Sequence, residues 1–175
     1  IQPDQASVME PFGNAVHATF GTEGGEDLLT NPVAVIGCGP IGLFAVGIAR
    51  AAYEHALAYA HTRRAGGKKI AQHQQVQHRL FHMFRKVEAA RALVRRVATY
   101  NATAPLPALQ GSAAAKVHAT QTAFEVASEA LQIFGGNGMS LEYPMEKLLR
   151  DARAMLIADG CNEVLAMKGG SLLVN

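Results

Sequence analysis

The chain has no tryptophan, few aromatics of any kind, only two cysteines and few charges for its length, and each shortage closes off a class of protein. Cys38 and Cys161 lie far apart and no Cys-x-x-Cys pair occurs, which argues against both a disulfide framework and a zinc ribbon. A reducing, cytoplasmic setting is the expectation that follows. No apolar run approaches the roughly 18 residues that a membrane span requires, and the sequence opens at Ile1 without the basic start of a signal peptide. A soluble protein with no membrane partner is therefore expected. With 175 residues there is room for one ordinary core and not for two large ones.

The charges that are present are unevenly placed. Residues 1–49 carry five acids (Asp4, Glu10, Glu23, Glu26 and Asp27) and no Lys or Arg, whereas residues 61–96 hold ten Lys or Arg and one acid, Glu88. Such a basic face attracts the phosphates of a nucleotide or coenzyme, or it merely solvates a helix. It lacks interleaved aromatics and any known nucleic-acid motif, so no nucleic-acid partner is expected.

Apolar spacing from residue 41 onward is helical. Ile41, Ala45, Ile48, Ala52, His55 and Tyr59 recur at steps of three and four, and Gly66-Gly67 ends that segment. Val76, Leu80, Met83, Val87, Ala90, Val94 and Val97 keep a seven-residue repeat, up to Pro105 and Pro107. A third helix, with Ser112 as its N-cap, carries Val117, Thr120, Phe124, Ala127, Leu131 and Phe134 and stops at Gly135-Gly136-Asn137-Gly138. Pro144 opens a fourth, bearing Leu148, Ala152, Met155 and Asp159, which Gly160 ends; a short last helix runs from Asn162 to Met167 before Gly169-Gly170 and a frayed end. Helices with one apolar stripe each must bury those stripes against one another. The expected fold is mostly α: an antiparallel four-helix bundle over residues 41–175 with an irregular appendage over residues 1–40. Strand signals are confined to residues 32–38, where a lone strand has nothing to pair with.

Gly37-Cys-Gly39-Pro-Ile-Gly42 matches the G-x-G-x-x-G pattern that seats a dinucleotide pyrophosphate on a helix N-terminus. A working site also needs a parallel sheet and an acid about 20 residues later. Here that stretch reads Ala60-His-Thr-Arg-Arg64, without an acid or a second strand. A turn leading into a helix near Ile41 explains these glycines better than NAD does. Locally, Pro11-Phe-Gly-Asn-Ala-Val-His17 and Val35-Ile-Gly-Cys-Gly-Pro-Ile-Gly42 resemble L-threonine 3-dehydrogenases over about residues 7–44. Counterparts of that family's zinc ligands and of the rest of its nucleotide fold are missing, so an NAD-dependent dehydrogenase fragment is the weakest reading.

A second resemblance covers most of the chain. Gly47-Ile-Ala-Arg-Ala-Ala-Tyr-Glu-His-Ala-Leu-Ala-Tyr59, Arg63-Arg-Ala-Gly-Gly67, Ile70-Ala-Gln-His-Gln74, Leu131-Gln-Ile-Phe-Gly-Gly-Asn-Gly138 and Glu142-Tyr-Pro-Met-Glu-Lys-Leu-Leu-Arg-Asp151 resemble, in order, the C-terminal helical domain of the acyl-CoA dehydrogenases. That family binds FAD and removes a proton and a hydride from the α and β carbons of an acyl-CoA thioester. The resemblance implies that Arg63 and Gln74 reach the FAD phosphates or ribityl chain, and that Gln132, Gly135 and Gly136 touch the adenosine part of FAD held by a neighbouring subunit. Gly66 stands where the family usually has Phe. It also implies a homo-oligomer, dimer or tetramer, with an acyl-CoA as substrate partner.

Many members carry the catalytic base as a Glu before a Gly late in the fourth helix, and here Asp159-Gly160 occupies that place. The shorter side chain moves the carboxylate by about 1 Å, a displacement that can cost about a hundredfold in rate. Other members place the base near the start of the first helix, but residues 28–53 hold no Asp or Glu, and Glu163 is the nearby substitute. Tyr143, Lys147, Arg150 and Asp151 match family positions too, although pairing of Lys147 with Asp151 would be purely structural. The seven histidines show no metal-like cluster, and His73 and His82 read as helix-face residues rather than zinc ligands. The family's N-terminal and middle domains have no counterpart in this stretch, so the isolated chain is expected to be impaired in catalysis. The competing reading is a non-enzymatic helical module for oligomerisation or interaction.

Overall fold

In the computed structural model, which describes residues 40–174, the chain folds into five helices and one small hairpin. Helix α1 spans Pro40–Thr62, followed by β1 (Arg64–Ala65), β2 (Lys68–Lys69) and a 3-10 turn at Ile70–Gln72. Helices α2 (Gln74–Thr103) and α3 (Leu109–Phe134) come next, then a 3-10 turn at Gly135–Met139, α4 (Met145–Met155) and α5 (Asn162–Val174). The expected strand at 32–38, and Gly37 and Gly39 of the glycine motif, lie outside the described residues. No described helix is long and apolar enough to cross a membrane.

Side-chain pairs fix the directions of the helices. Tyr59, near the end of α1, stacks on Phe134 at the end of α3 with ring centroids 4.0 Å apart, so these two helices run the same way. Arg79 and Lys86 of α2 pair with Glu129 and Glu125 of α3, the latter at 2.7 Å, so α2 runs opposite to α3. Phe134 also meets Tyr143 just before α4, while Arg153 near the end of α4 lies over Phe124, so α4 reverses again. The up-down-up-down order agrees with the expected bundle. Helix α5 adds a fifth element across the first half of α3, where Gly169 approaches Ala113. This helix continues to Val174 and does not fray at Gly169-Gly170, as the two glycines had suggested. A Cβ at 169 would stand 3.5 Å from that of Ala113, an ordinary contact.

Helix α2 buries what its repeat requires: Leu80, Met83, Val87, Ala90, Val94 and Val97. The stripes of α1 and α3 differ from the expected ones. In α1 the fully buried line is Ile41, Ala45, Ala49, Ala52, Ala56 and Ala60, with Ile48 and Tyr59 only half-buried and His55 exposed. In α3 burial extends around most of the helix, and Ala115, Ala119, Ala123, Val126, Ala127 and Ala130 are enclosed. Small side chains let helices approach closely, so alanine, not the larger residue beside it, marks the contact line. Ser112 is not the N-cap of α3, which begins three residues earlier; it is buried and accepts a hydrogen bond from Asn101 Nδ2 at 2.9 Å. Asn101 Oδ1 in turn accepts from the Ala108 amide at 2.9 Å, so the asparagine of α2 ties down the start of α3.

Gly66-Gly67 does more than end a helix. Helix α1 stops at Thr62, and the two glycines, with φ of 58° and 81°, form the two-residue turn between β1 and β2. Both central residues of such a hairpin turn need positive φ, which glycine adopts without strain.

Two predictions follow from this packing. Met83 is 1% exposed, so Met83→Ala should cost about 2–5 kcal/mol in urea unfolding, whereas Phe81→Ala, at a ring 62% exposed, should cost within about 0.5 kcal/mol; equal losses would contradict the core assignment. Hydrogen bonding from Lys86 holds the Glu125 carboxyl below its ordinary pKa. That contribution is present above the unfolded carboxyl pKa of about 4.3 and fades as pH falls through the lowered folded value. Glu125→Gln should remove less than about 1 kcal/mol at neutral pH, because the pair is partly exposed, and should flatten the acid limb of the stability curve; an unchanged acid limb would contradict it.

Candidate functional site

The residues matched to cofactor contacts gather at one end of the bundle. Arg63 follows α1, its amide bonded to Tyr59 O at 2.9 Å, and Tyr59 OH accepts from Asn137 Nδ2 at 2.9 Å in the turn after α3. Gln74 opens α2 on the far side of the hairpin, and the Arg79–Glu129 pair draws that start against the last turns of α3, where Gln132, Gly135 and Gly136 lie. Arg63, Gln74, Gln132, Gly135 and Gly136 are all exposed. Among the described residues no side-chain partner holds the Arg63 guanidinium. This end thus presents a forked cation, two carboxamides and a glycine surface with open space where both Cβ atoms would be. That donor set fits the pyrophosphate and adenosine of a dinucleotide cofactor.

One detail of the turn differs from a bare-amide cradle. The Gly135 N–H is spent on Leu131 O and Gln132 O, closing α3. What Gly135 offers a ligand is therefore its missing side chain. Beneath it, Gly138 is packed so tightly that a Cβ would stand 2.8 Å from Leu131 O.

The matched base lies elsewhere. Asp159 is exposed on the turn between α4 and α5, and its φ of 51° makes it the sole non-glycine residue with positive φ among those described. Such a conformation costs an aspartate energy and persists only where surroundings impose it. Beside this turn stands a group that sequence reasoning missed. Lys116 of α3 is 2% exposed, and its Nζ donates to Gly160 O at 2.8 Å and to Asn162 Oδ1 at 2.9 Å. Burial lowers its pKa, while Asp159, Cys161 and Glu163 nearby act in the opposite sense. Thr120, also buried, hydrogen-bonds Asn162 at 3.0–3.1 Å and Lys116 O at 3.0 Å. The hint was available in Ser112-Ala-Ala-Ala-Lys116, a lysine in step with a line of alanines.

The other candidates have partners within the chain. Lys147 pairs with Asp151, and Arg150 reaches Glu146 through one contact at 3.5 Å. Glu163, the substitute base, sits in the first turn of α5, where its own backbone N–H and then Cys161 hold its carboxyl below the ordinary value. His73 Nε2 contacts Ala65 O at 3.0 Å and braces the hairpin. His82 contacts His78 one turn away at 3.0 Å, and no group of three or more metal-binding side chains gathers among the described residues.

Residues 38–170 match the family described as acyl-CoA dehydrogenase, C-terminal domain. The chain belongs to that family. It is 40% identical over 134 residues to an acyl-CoA dehydrogenase of Bacillus subtilis, covering 75% of this chain and 35% of that protein. It is 36% identical over 134 residues to a 3-sulfinopropanoyl-CoA desulfinase of Advenella mimigardefordensis, covering 77% and 33%. Among solved structures, butyryl-CoA dehydrogenase from Megasphaera elsdenii superposes with a TM-score of 0.75 at 38% identity, covering 78% of this chain and 35% of that one. The chain thus spans about a third of the length of the relatives it matches.

The resemblance of residues 7–44 to threonine dehydrogenases gains no support. The family match begins at Cys38, and Gly42, last of the motif glycines, is buried inside α1. The described residues hold no parallel strand for a nucleotide fold.

Gly138→Ala should force the Leu131 carbonyl or the turn to shift, costing about 1–3 kcal/mol in thermal unfolding; an unchanged melting temperature would show that the turn is not held as described.

Proposed function

We propose that the chain is the C-terminal bundle of a flavin-dependent acyl-CoA dehydrogenase, acting in α,β-dehydrogenation of an acyl-CoA thioester. The observation that carries this reading is the convergence of Arg63, Gln74, Gln132, Gly135 and Gly136 on one exposed end of a bundle that belongs to the family. Arg63 binds the pyrophosphate through its forked donors, Gln74 and Gln132 orient the groups on either side, and the glycine face receives the adenosine. When bound, FAD supplies the acceptor for the hydride leaving the β carbon. Asp159 takes the proton from the α carbon, where the thioester carbonyl makes it removable. A desulfinase among the relatives marks the reaction type as the part of this reading that depends most on residues beyond the bundle.

The two sets of residues are far apart. The rise along α3 from Lys116, beneath the Asp159 turn, to Gln132 is about 24 Å. One copy's cofactor end and the same copy's Asp159 are therefore poorly placed to serve a single reacting centre. This supports a homo-oligomer in which the glycine end of one copy completes the site of another.

FAD fluorescence anisotropy tests the cofactor end. Arg63→Ala should weaken binding about tenfold, the loss of one charge-assisted contact of roughly 1.4 kcal/mol; equal affinity would remove Arg63 from the site. Deuteration of butyryl-CoA at its α carbon in heavy water, with FAD present, tests the base separately. Asp159→Asn should slow it about a hundredfold or more, and an unchanged rate would dismiss Asp159. The isolated chain should be impaired in full turnover, so stoichiometric flavin bleached rapidly by an acyl-CoA would contradict that expectation.

A further inference from the structure

Lys116 is a charged side chain inside the bundle, and nothing in cofactor or substrate binding as described above accounts for it. Holding an ammonium at 2% exposure is costly unless its donors are matched. Its described acceptors both belong to one short segment: Gly160 O and Asn162 Oδ1. That segment is the turn whose backbone is unusual, with φ of 51° at Asp159 and 91° at Gly160, and whose ends are joined by Asn162 N donating to Leu156 O at 3.0 Å. Thr120, one turn further along α3, holds the Asn162 carboxamide from the other side. No buried side-chain nitrogen or oxygen is left without a partner among the described residues, so the network is closed.

We propose that Lys116 is a positioning residue for Asp159: its buried ammonium, acting through Gly160 O and Asn162, imposes the left-handed turn that fixes where the Asp159 carboxylate stands. The inference rests on the reading of Asp159 as the base. A lysine suits this task better than a neutral residue. Its stem fills the space between α3 and α5 like an apolar chain, while its head delivers two donors to a carbonyl and a carboxamide at once. It also brings one positive charge near Asp159 and Glu163, with Arg153 the other cation that acts on Glu163.

Lys116→Met keeps the apolar stem as far as Cε and removes the ammonium with its donors and charge. In the full chain, exchange should rise about tenfold or more at the Asn162 and Leu165 amides, which donate to Leu156 O and Cys161 O across the turn, while amides of α3 from Ala119 to Ala130 keep their protection. The Glu163 carboxyl, followed by carbon-13 chemical shift against pH, should titrate at a higher value in this variant, because one of the cations that lowers it has gone. Lys116→Arg should restore both readouts at least in part, which a mere space-filling role would not require. Should Lys116→Met fail to fold, Asn162→Ala removes the second half of the link and should loosen the same amides. Unchanged exchange at the Asn162 and Leu165 amides in folded Lys116→Met, or in Asn162→Ala, would overturn the proposal. Asp159→Asn should leave these rates at wild-type values, since its side chain is outside the network. Loss of the catalytic reading would instead show as α-deuteration of butyryl-CoA unaffected by Asp159→Asn, so the two failures are distinguishable.

Discussion

Everything in this bundle depends on the enclosure of α3. A helix with water on one face can carry polar residues there, and one packed on several sides keeps only a narrow such face, here Gln110, His118, Gln121, Ser128 and Gln132. Helix α3 is touched by α1, α2, α4 and α5, and half of its buried positions are alanine. Small side chains bring the neighbouring backbones close, at the expense of apolar volume in the contact. The larger groups that fill the remainder, Met83, Val87 and Val94 of α2 and Met145 at the start of α4, come from the neighbours.

That enclosure places the functional residues as well. The first half of α3 is buried, so a lysine and a threonine there must find partners inside, and the turn between α4 and α5 supplies them. The last residues of α3 emerge from the bundle, so a glycine turn there is exposed, with Tyr59, Phe134 and Tyr143 as an aromatic floor beneath it. One helix thus separates a cofactor-facing end from a carboxylate-bearing turn. The proposed function therefore calls for an assembly of several copies, in which the two would be brought back together.

What could be read from the residues follows from the same constraint. Helix α2 was legible because it is one-sided: its heptad residues are large, apolar and separated by charges. Helices α1 and α3 were legible as helices but not as faces, because alanine carries little hydrophobic signal and Ile48, Tyr59 and Phe124 drew the stripe towards themselves. The Gly66-Gly67 hairpin was hidden because two glycines that stop a helix and two that turn a hairpin look alike without coordinates. Asp159 entered only through its family resemblance; Asp159-Gly160 signals a turn, but the lysine 43 positions earlier that bonds this turn has no signature in Ala158-Asp159-Gly160. Lys116 drew no notice in the sequence, since a lysine in a helix nearly always lies at the surface.

Whether α3 is the enclosed axis on which both candidate sites are built is decided by native-state hydrogen exchange across the whole chain at increasing urea. The account predicts that amides from Ala115 to Ala130 exchange only with global unfolding, while α5 and the ends of α1 and α2 open at lower free energy. If α3 instead opens before α1 and α2, it is not the axis, and the placement of both sites upon it fails.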